Sequence, residues 1–186
     1  MGYDVIGGML GESCPPTERD YSEESMRLDD LDWEILDALQ QEGRIGYREL
    51  GRRVGLSAPA VAARIRKLES AGIISGYKAV VDPQRLGLRV EAFVQLAVAG
   101  TPRADERLLE TARGIPEILD VWRVTGRETY LLRVVVPVVH DLERVLRPLW
   151  EYGETITGAV LSAPVEDRPI TREMAEAAIG ITMPAR

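Results

Sequence analysis

Between residues 28 and 76, apolar side chains recur at the spacing of three short helices. The stretch LDWEILDALQ, which begins at Leu31, repeats an aliphatic residue every four positions. This spacing predicts an amphipathic helix that is opened by two aspartates and ended by Gly43. A second short helix is predicted over 47–54, and Gly55 then predicts a tight turn.

The third predicted helix follows this turn directly. Ser57 is a suitable N-cap, and Val61, Ile65 and Leu68 lie on one face at i, i+4 and i+7. A helix, a short turn and a second helix in this order predict a helix-turn-helix, whose second helix enters the major groove of DNA. The strand-like stretch IISGYKAVVD after Gly72 further predicts a short ribbon, or wing.

The remainder of the chain alternates strands with helices. Strands are predicted over about 88–99, 117–124, 129–136 and 155–162, and helices over about 103–113 and 139–150. Strand, helix, strand, strand, helix, strand is the ferredoxin-like order. The predicted fold class is therefore α+β, with an N-terminal winged helix-turn-helix domain and a C-terminal ferredoxin-like βαββαβ domain.

These patterns divide the chain into five segments. They are a disordered, acid-rich extension over 1–27, the helix-turn-helix domain over 28–76, a linker or hinge strand over 77–87, the ferredoxin-like domain over 88–162, and a C-terminal tail over 163–186. A short helix is expected around TREMAEAAI in the tail. Because Met26 immediately precedes the first helical pattern, translation from that residue is an alternative to the full extension.

Charge is distributed unevenly among these segments. The net charge is -7, but two basic and eight acidic side chains lie in the first thirty residues alone. Residues 44–67 contain seven cations and only one acid, Glu49. A compact cationic face on an acidic protein predicts a polyanionic partner for that face, and a helix-turn-helix implies that the partner is double-stranded DNA.

The third helix supplies most of the candidate contacts. At about 100° per residue, most of its small and cationic side chains project opposite its apolar face, whereas Ser57 and Arg64 lie on a flank. Small side chains let the helix approach the floor of the groove, while Arg and Lys reach phosphates and guanine edges. The alternative is a solvated basic face on an ordinary three-helix bundle. The candidate DNA-binding residues are Arg44, Arg48, Arg52, Arg53, Ser57, Pro59, Ala60, Ala63, Arg64, Arg66 and Lys67.

Little in the sequence suggests catalysis. The single histidine, His140, and the single cysteine, Cys14, have no partner in sequence for nucleophilic or acid–base work, so no catalytic residue, metal site or cofactor is expected. The longest apolar runs fall short of the roughly 20 residues that a membrane helix needs. The N-terminus also lacks the pattern of a signal peptide. We therefore expect a cytoplasmic protein that has no membrane partner and is not an enzyme.

The run from Leu28 to Gly87 resembles the DNA-binding half of the Lrp/AsnC family, the leucine-responsive and asparagine-responsive regulators. The shared motifs are LDxxDxxIL at its start, GRI before the second helix, GLS at the turn, RxxxLE in the third helix, and a Gly-x-Ile-x-Gly-Tyr exit. The resemblance continues through FVQLAV, PEILDVWRVTG and TITGAVL, and covers roughly residues 28–162. It implies a sequence-specific, DNA-binding transcriptional regulator.

The resemblance also implies a homo-oligomer. Such a protein would dimerise through the sheets of its ferredoxin-like domains, assemble into octamers, and bind an amino acid or a related small effector between dimers. A dimer would present two third helices to successive major grooves, so the expected promoter site is a rough palindrome.

The loop that helps form the family's effector pocket departs from the family pattern. That pattern is Gly-acid-x-Asp-Tyr, whereas here Thr129 replaces the aspartate and Arg127 adds a positive charge. The loss of the aspartate predicts either an atypical, carboxylate-rich effector or a loss of sensing. A plain β-turn is the alternative. The candidate effector-binding residues are Thr125, Gly126, Arg127, Glu128, Thr129, Thr155 and Thr157.

Two other classes of function compete with a regulator. Siroheme decarboxylases, which are enzymes, resemble the same two-domain architecture. They would require an active-site array of histidine and arginine that the lone His140 hardly provides, and they leave the basic third helix unexplained. A pure effector-binding or oligomerisation module is the third interpretation, but it leaves the local positive charge of the helix-turn-helix unexplained.

Overall fold

The computed structural model of the chain describes residues 28–98 and 102–179, so the predicted disordered extension lies outside the described residues. The chain forms two compact units. Of the described residues, 28–78 and 169–179 form one unit, and those between 79 and 168 form the other. The elements are α1 (Asp30–Gln41), α2 (Tyr47–Val54), α3 (Ala58–Ser70), β1 (Val90–Val98), α4 (Pro102–Arg113), β2 (Ile118–Arg123), β3 (Tyr130–Val136), α5 (Asp141–Leu146), β4 (Gly153–Ala159) and α6 (Arg172–Ile179).

Helices α1, α2 and α3 pack around a small aliphatic core. Ile35, Leu50, Ile65 and Leu68 are almost fully buried within it. Asp29 is the N-cap of helix α1, and its side chain accepts a hydrogen bond from the N–H of Asp32, the third helical residue, in a capping box. The spacing of the aliphatic residues therefore produced the predicted three-helix arrangement.

The turn between α2 and α3 depends on two glycines. Gly55 has φ +70°, in the left-handed region that disfavours other residues. The Leu56 N–H donates to the Gly51 carbonyl at 2.8 Å, and a Cβ atom on Gly51 would lie only 2.4 Å from the Leu56 carbonyl oxygen. The turn that leads from α2 into α3 thus leaves no room for a side chain at position 51.

The predicted wing is wrong for the described residues, which contain no strand between α3 and β1. Val80 and Val81 are mostly exposed there, and the only regular element of the linker is a 3₁₀ turn over Gln84–Leu86. Residues with strand propensity need a neighbouring strand with which to pair, and within 28–98 and 102–179 none pairs with this stretch. The same observation removes the predicted hinge strand over 77–87.

The second unit is a four-stranded antiparallel sheet with the strand order β2-β3-β1-β4. Leu108 of α4 and Leu142, Val145 and Leu146 of α5 pack into the same core as the inward-facing side chains of β1 and β3. The order of elements and the single covered face confirm the predicted ferredoxin-like domain.

Two boundaries of this unit differ from the prediction. The helix predicted over 139–150 is α5 followed by a 3₁₀ turn over Arg147–Leu149, because Pro148 has no N–H group to continue the α-helical hydrogen bonds. Strand β4 begins and ends earlier than expected, because it pairs with β1 from Val98 opposite Gly153 to Ala92 opposite Ala159.

The sheet face that α4 and α5 leave uncovered is partly apolar. We call it the open sheet face, and it includes Phe93, Trp122 and Ile156, which are exposed, with the Phe93 and Trp122 ring centroids 6.5 Å apart. Arg133 lies on β3 opposite Phe93 and pairs with Glu91 at 2.5 Å. A second, longer ion pair joins Arg133 to an aspartate of β2 at 3.4 Å.

Residues 169–179, which we call the C-terminal segment, belong to the helix-turn-helix unit. The Gln40 side chain accepts a hydrogen bond from the Ile170 N–H at 2.8 Å and donates one to the Ile170 carbonyl at 3.1 Å. Arg172 pairs with Asp30 of α1 at 2.5 Å. Helix α6 is the short helix that was expected around TREMAEAAI.

Candidate nucleic-acid interface and effector loop

Helix α3 presents an exposed face of small and cationic side chains. Val61, Ile65 and Leu68 are buried on its opposite side. Ser57 lies at the N-terminal end of this face and caps the helix, since its hydroxyl oxygen accepts a hydrogen bond from the Ala60 N–H. The exposed members are Ser57, Pro59, Ala63, Arg66 and Lys67, and Ala60 is half-buried beside them.

Two of the predicted DNA-binding cations of α2 already have acidic partners. Arg52 pairs with Glu49, one turn earlier in the same helix. Arg53 pairs with Glu42 at 2.8 Å and lies 3.7 Å from Glu49. These side chains are largely exposed, and exposed ion pairs contribute little free energy. A phosphate can therefore displace either carboxylate at small cost.

Four other predicted cations are exposed and form no ion pair within residues 28–98 and 102–179. They are Arg44, Arg48, Arg66 and Lys67, and we call them the open cations. Arg48 lies in the first turn of α2, while Arg66 and Lys67 lie in the second half of α3. Their positive charge is available to a polyanion without the loss of an existing ion pair.

Arg64 differs from the other cations of this region because it points into the helix-turn-helix unit. Its Nη1 atom lies 2.7 Å from Asp29 Oδ2 and 2.7 Å from Asp32 Oδ1. The two remaining carboxylate oxygens accept backbone N–H groups, with Asp32 N–H to Asp29 Oδ1 at 2.8 Å and Asp29 N–H to Asp32 Oδ2 at 3.3 Å. All four carboxylate oxygens are therefore hydrogen-bonded.

This network perturbs the ionisation of its members. The hydrogen bond from Arg64, followed by that from the Asp32 N–H, lowers the pKa of the Asp29 carboxyl. The hydrogen bonds to Asp29 and Asp32 raise the pKa of the Arg64 guanidinium. Asp32 is only 1% exposed, and it is the one buried charged side chain among the described residues. Sequence reasoning missed the network, although the LDxxD motif and the arginine of RxxxLE supply all three of its members.

The candidate effector loop connects β2 to β3. Thr125, Gly126 and Arg127 are exposed, Glu128 is half-buried, and Gly126 has φ +128°. Within 28–98 and 102–179, no ion pair involves the guanidinium of Arg127. The tip of the loop therefore presents a positive charge to solvent.

Thr129 anchors this loop on the end of β1. Its N–H donates to the Leu96 carbonyl at 3.0 Å, and its own carbonyl accepts the Val124 N–H at 2.9 Å. Its hydroxyl oxygen accepts the Val98 N–H at 3.4 Å. The threonine that replaces the family's aspartate thus has two hydrogen bonds to β1 and one to Val124, which follows β2.

Thr155 lies at the same end of the sheet as the loop. Leu96 is opposite Tyr130 on one side and opposite Thr155 on the other, so β1 separates the loop from Thr155 by two strand spacings, about 10 Å. Thr157 is two residues further along β4, opposite Val94. The structure thus brings Thr155 toward the loop and places Thr157 deeper along the edge strand.

The described residues contain no group of three or more His, Cys, Asp and Glu side chains that could hold a metal ion. His140 is exposed at the start of α5. No helix in the described part of the chain has the length and apolar character needed to cross a membrane.

Comparisons with known proteins agree with this geometry. The family model of the AsnC-type helix-turn-helix domain matches residues 28–69, and that of the Lrp/AsnC ligand binding domain matches residues 91–170. The HTH-type transcriptional regulator YezC of Bacillus subtilis is 37% identical over 73% of this chain and 95% of its own length.

Two solved structures are similar over most of the chain. The structure of Bacillus subtilis LrpC has a TM-score of 0.69 and 33% identity, and the match covers 75% of this chain and 99% of LrpC. A transcriptional regulator of Neisseria meningitidis, solved as its complex with L-methionine, has a TM-score of 0.72 and 29% identity over 77% of this chain and 96% of its own. Both similarities extend across the helix-turn-helix and the ferredoxin-like sheet.

Proposed function

The chain belongs to the Lrp/AsnC family of DNA-binding transcriptional regulators, and we propose that it contacts DNA with the exposed face of α3 and responds to a carboxylate-bearing effector at the loop over 125–129. The single observation that carries the first part is the exposed face itself. Small side chains lie there beside Arg66 and Lys67, and neither cation forms an ion pair within residues 28–98 and 102–179. A backbone that can approach the groove and two available cations are what phosphate and base-edge contacts require.

Fluorescence anisotropy on a labelled duplex from the gene's own upstream region tests this assignment. We expect the double variant Arg66→Ala, Lys67→Ala to bind more weakly, with a salt dependence that is shallower by about one unit for each phosphate that the variant can no longer reach. The matched control is Arg89→Ala, Arg113→Ala, which removes two exposed cations of the second unit. Equal affinity and equal salt slope for the parent chain and the α3 variant would contradict the proposed interface.

Open cations outside α3 are proposed as additional phosphate contacts. Arg48 begins α2 and Arg44 precedes it, and both are exposed. Arg52 and Arg53 are weaker candidates, because each must first exchange an acidic partner for a phosphate. Arg48→Ala should therefore weaken DNA binding more than Arg52→Ala does.

We propose that the open sheet face joins two copies of the chain. Phe93, Trp122 and Ile156 expose apolar surface there, and such surface is stabilised when a second copy covers it. A dimer would present two α3 helices to one side of a duplex, so the expected DNA site is a rough palindrome with half-sites about 10 bp apart or a multiple of that spacing. Assembly of dimers into octamers is part of the same proposal.

Analytical ultracentrifugation tests the dimer. Phe93→Asp together with Ile156→Asp should lower the mass of the particle, because each adds a charge to the covered face. Leu161→Asp is the control, since Leu161 is an exposed apolar residue that follows β4 in the same unit. An unchanged mass for the double variant would contradict the proposed surface, and the parent chain's mass gives the number of copies.

The effector proposal rests on the charge at the tip of the loop. Arg127 is exposed, whereas the hydroxyl of Thr129, which stands in place of the family's aspartate, is hydrogen-bonded to the Val98 N–H of β1. The carboxylate of an effector can pair with this guanidinium, whereas a negatively charged loop would repel it. The methionine complex of the neisserial relative supports an amino acid or related small molecule as the chemical class.

Thermal-shift measurements against the twenty amino acids and common keto acids test the effector. We expect dicarboxylates such as glutamate and 2-oxoglutarate to raise the melting temperature of the parent chain but not that of Arg127→Ala, with Arg113→Ala as the control. A strong shift with leucine or another neutral amino acid would contradict the proposal. An absence of any shift would indicate that sensing has been lost.

The enzyme interpretation has weaker support. The family models and the named relatives are those of regulators and ligand-binding domains, which points away from a decarboxylase. The exposed α3 face has a use in a regulator and none in that enzyme.

A further inference from the structure

The Arg64 network connects α3 to the beginning of α1. Arg64 is a residue of α3, while Asp29 and Asp32 are the N-cap and the first turn of α1. Arg64 and Asp29 are 35 residues apart in sequence. The network therefore fixes the two helices relative to each other.

Asp29 and Asp32 form a preorganised acidic corner. Each carboxylate accepts the backbone N–H of the other residue, so the capping box holds both side chains independently of Arg64. The positive end of the α1 dipole also favours negative charge in this turn. Arg64 therefore docks onto a rigid pair of carboxylates and not onto two flexible side chains.

A DNA contact by Arg64 would remove the cation from this corner. Its Nη1 atom is shared by both carboxylates, and the Arg64 side chain is only 28% exposed. If Arg64 turned toward a phosphate, the Asp32 carboxylate, 1% exposed, would lose its cationic partner. Stranding a buried charge is costly, whereas the open cations reach a phosphate without that loss.

The direction of Arg64 also sets the direction of the proposed DNA contacts. Successive residues of an α-helix are rotated by about 100°, so Arg66 points about 200° away from Arg64. An arginine that is held toward α1 therefore turns Arg66 outward. A small rotation of α3 about its axis would move Arg66 and Lys67 together.

We infer that Arg64 is a positioning residue for DNA binding, which acts through Asp29 and Asp32 to hold α3 in its binding orientation, and that it is not a phosphate contact. This inference replaces the DNA contact predicted for Arg64 from the sequence. It rests on the proposed function, because it assigns a role within the proposed interface.

Salt-dependent anisotropy on the upstream duplex, between about 50 and 200 mM salt, distinguishes the two roles. Four variants of the full chain are compared: Arg64→Ala, Arg66→Ala, Asp29→Asn and Asp37→Asn. Asparagine at position 29 retains an oxygen for the N-cap and removes the charge and the second oxygen, which accepts the hydrogen bond from Arg64. Asp37 is an exposed acid of α1 that forms no ion pair within the described residues, so its variant controls for the loss of one negative charge. Circular dichroism confirms that every variant is folded at the temperature of the measurement.

A positioning role predicts that Arg64→Ala weakens binding by about five- to tenfold with an unchanged salt slope, whereas Arg66→Ala shallows the slope by about 0.9 per phosphate contact. Asp29→Asn should also weaken binding, although removal of a negative charge near DNA would by itself tighten it. Asp37→Asn should leave the affinity unchanged or slightly tighter.

Three results would overturn the assignment. A slope for Arg64→Ala that is as shallow as that for Arg66→Ala would make Arg64 a phosphate contact. Tighter binding by Asp29→Asn would mean that the acids only neutralise a cation that DNA could use. Unchanged affinity for folded Arg64→Ala would restrict the network to stability. Failure of the proposed function looks different, because the parent chain would then not bind the duplex or Arg66→Ala would have no effect.

Discussion

Two arginines bind the first turn of helix α1, and their surroundings differ. Arg64 approaches from α3 and pairs with Asp32, which is 1% exposed. Arg172 approaches from the C-terminal segment and pairs with Asp30, which is 82% exposed. The two ion pairs have similar lengths, 2.7 Å and 2.5 Å, so distance alone does not separate them.

The difference lies in what remains when the arginine is removed. Without Arg64, a carboxylate stays buried with one hydrogen-bond partner fewer, and its desolvation is no longer compensated. Without Arg172, the carboxylate of Asp30 is simply hydrated. The Arg64 network therefore fixes α1 within the helix-turn-helix, whereas the C-terminal segment is held on α1 by exposed contacts that water can replace.

The largest effect should come from Arg64→Ala. Because the substitution leaves Asp32 buried without its cation, we expect the helix-turn-helix unit to lose about 2–3 kcal/mol of stability. Hydrogen exchange of the α1–α3 amides measures this loss separately from the ferredoxin-like unit. Arg66→Ala removes the same charge from an exposed position and should cost less than about 0.5 kcal/mol. Equal losses for the two variants would contradict the comparison.

The pH dependence of the same unit gives a smaller, related effect. Arg64 lowers the pKa of Asp29 in the folded chain, so folding favours the ionised carboxylate. That contribution is complete above the ordinary carboxyl pKa of about 4 and is lost as the pH falls through the lowered pKa. The parent chain should therefore lose more stability than Arg64→Ala below about pH 4. Melting curves recorded from neutral to acidic pH test this, and parallel pH profiles would count against it.

The aliphatic spacing predicted most of the helix-turn-helix. Val61, Ile65 and Leu68 are buried as their i, i+4, i+7 positions require, and Ser57 caps α3. The wing prediction failed because strand propensity is a property of a segment, whereas a strand also needs a partner. The 3₁₀ turn at Pro148 was readable from the sequence, but the apolar periodicity of α5 outweighed it.

The candidate site was less predictable because ion pairing depends on packing. Helical projection placed Arg64 on the flank of α3, which is where it lies, but projection of one helix does not show what the neighbouring helix presents to that flank. Likewise, no local pattern revealed that Thr129 is hydrogen-bonded to the end of β1, since Leu96 and Val98 are more than thirty residues away. Local patterns thus determine which face a residue occupies, and tertiary contacts determine whether its charge is available.

A smaller effect is expected at Gln40, which attaches the C-terminal segment. Gln40→Ala removes two hydrogen bonds to the Ile170 backbone, and because both are exposed their combined contribution is about 1 kcal/mol. Amide protection in α6 should fall about fivefold, as α6 is released more often. Gln41→Ala changes the neighbouring residue, whose side chain is exposed at the end of α1, and should leave the protection of α6 unchanged. Unaltered protection in Gln40→Ala would show that other contacts hold the segment.

The smallest effect should come from Arg172→Ala, and its salt dependence sharpens the comparison. The Arg172 pairs with Asp30 and Glu176 are both exposed, so the melting temperature should change by less than about 2 °C. At about 1 M salt, where charges are screened within about 3 Å, the parent chain and Arg172→Ala should have the same α6 protection. The loss of helix-turn-helix stability caused by Arg64→Ala should persist at that salt concentration, because a buried carboxylate is screened far less than an exposed one. If the stability loss of Arg64→Ala disappeared at high salt, the Arg64 pair would behave as an exposed surface ion pair, like that of Arg172.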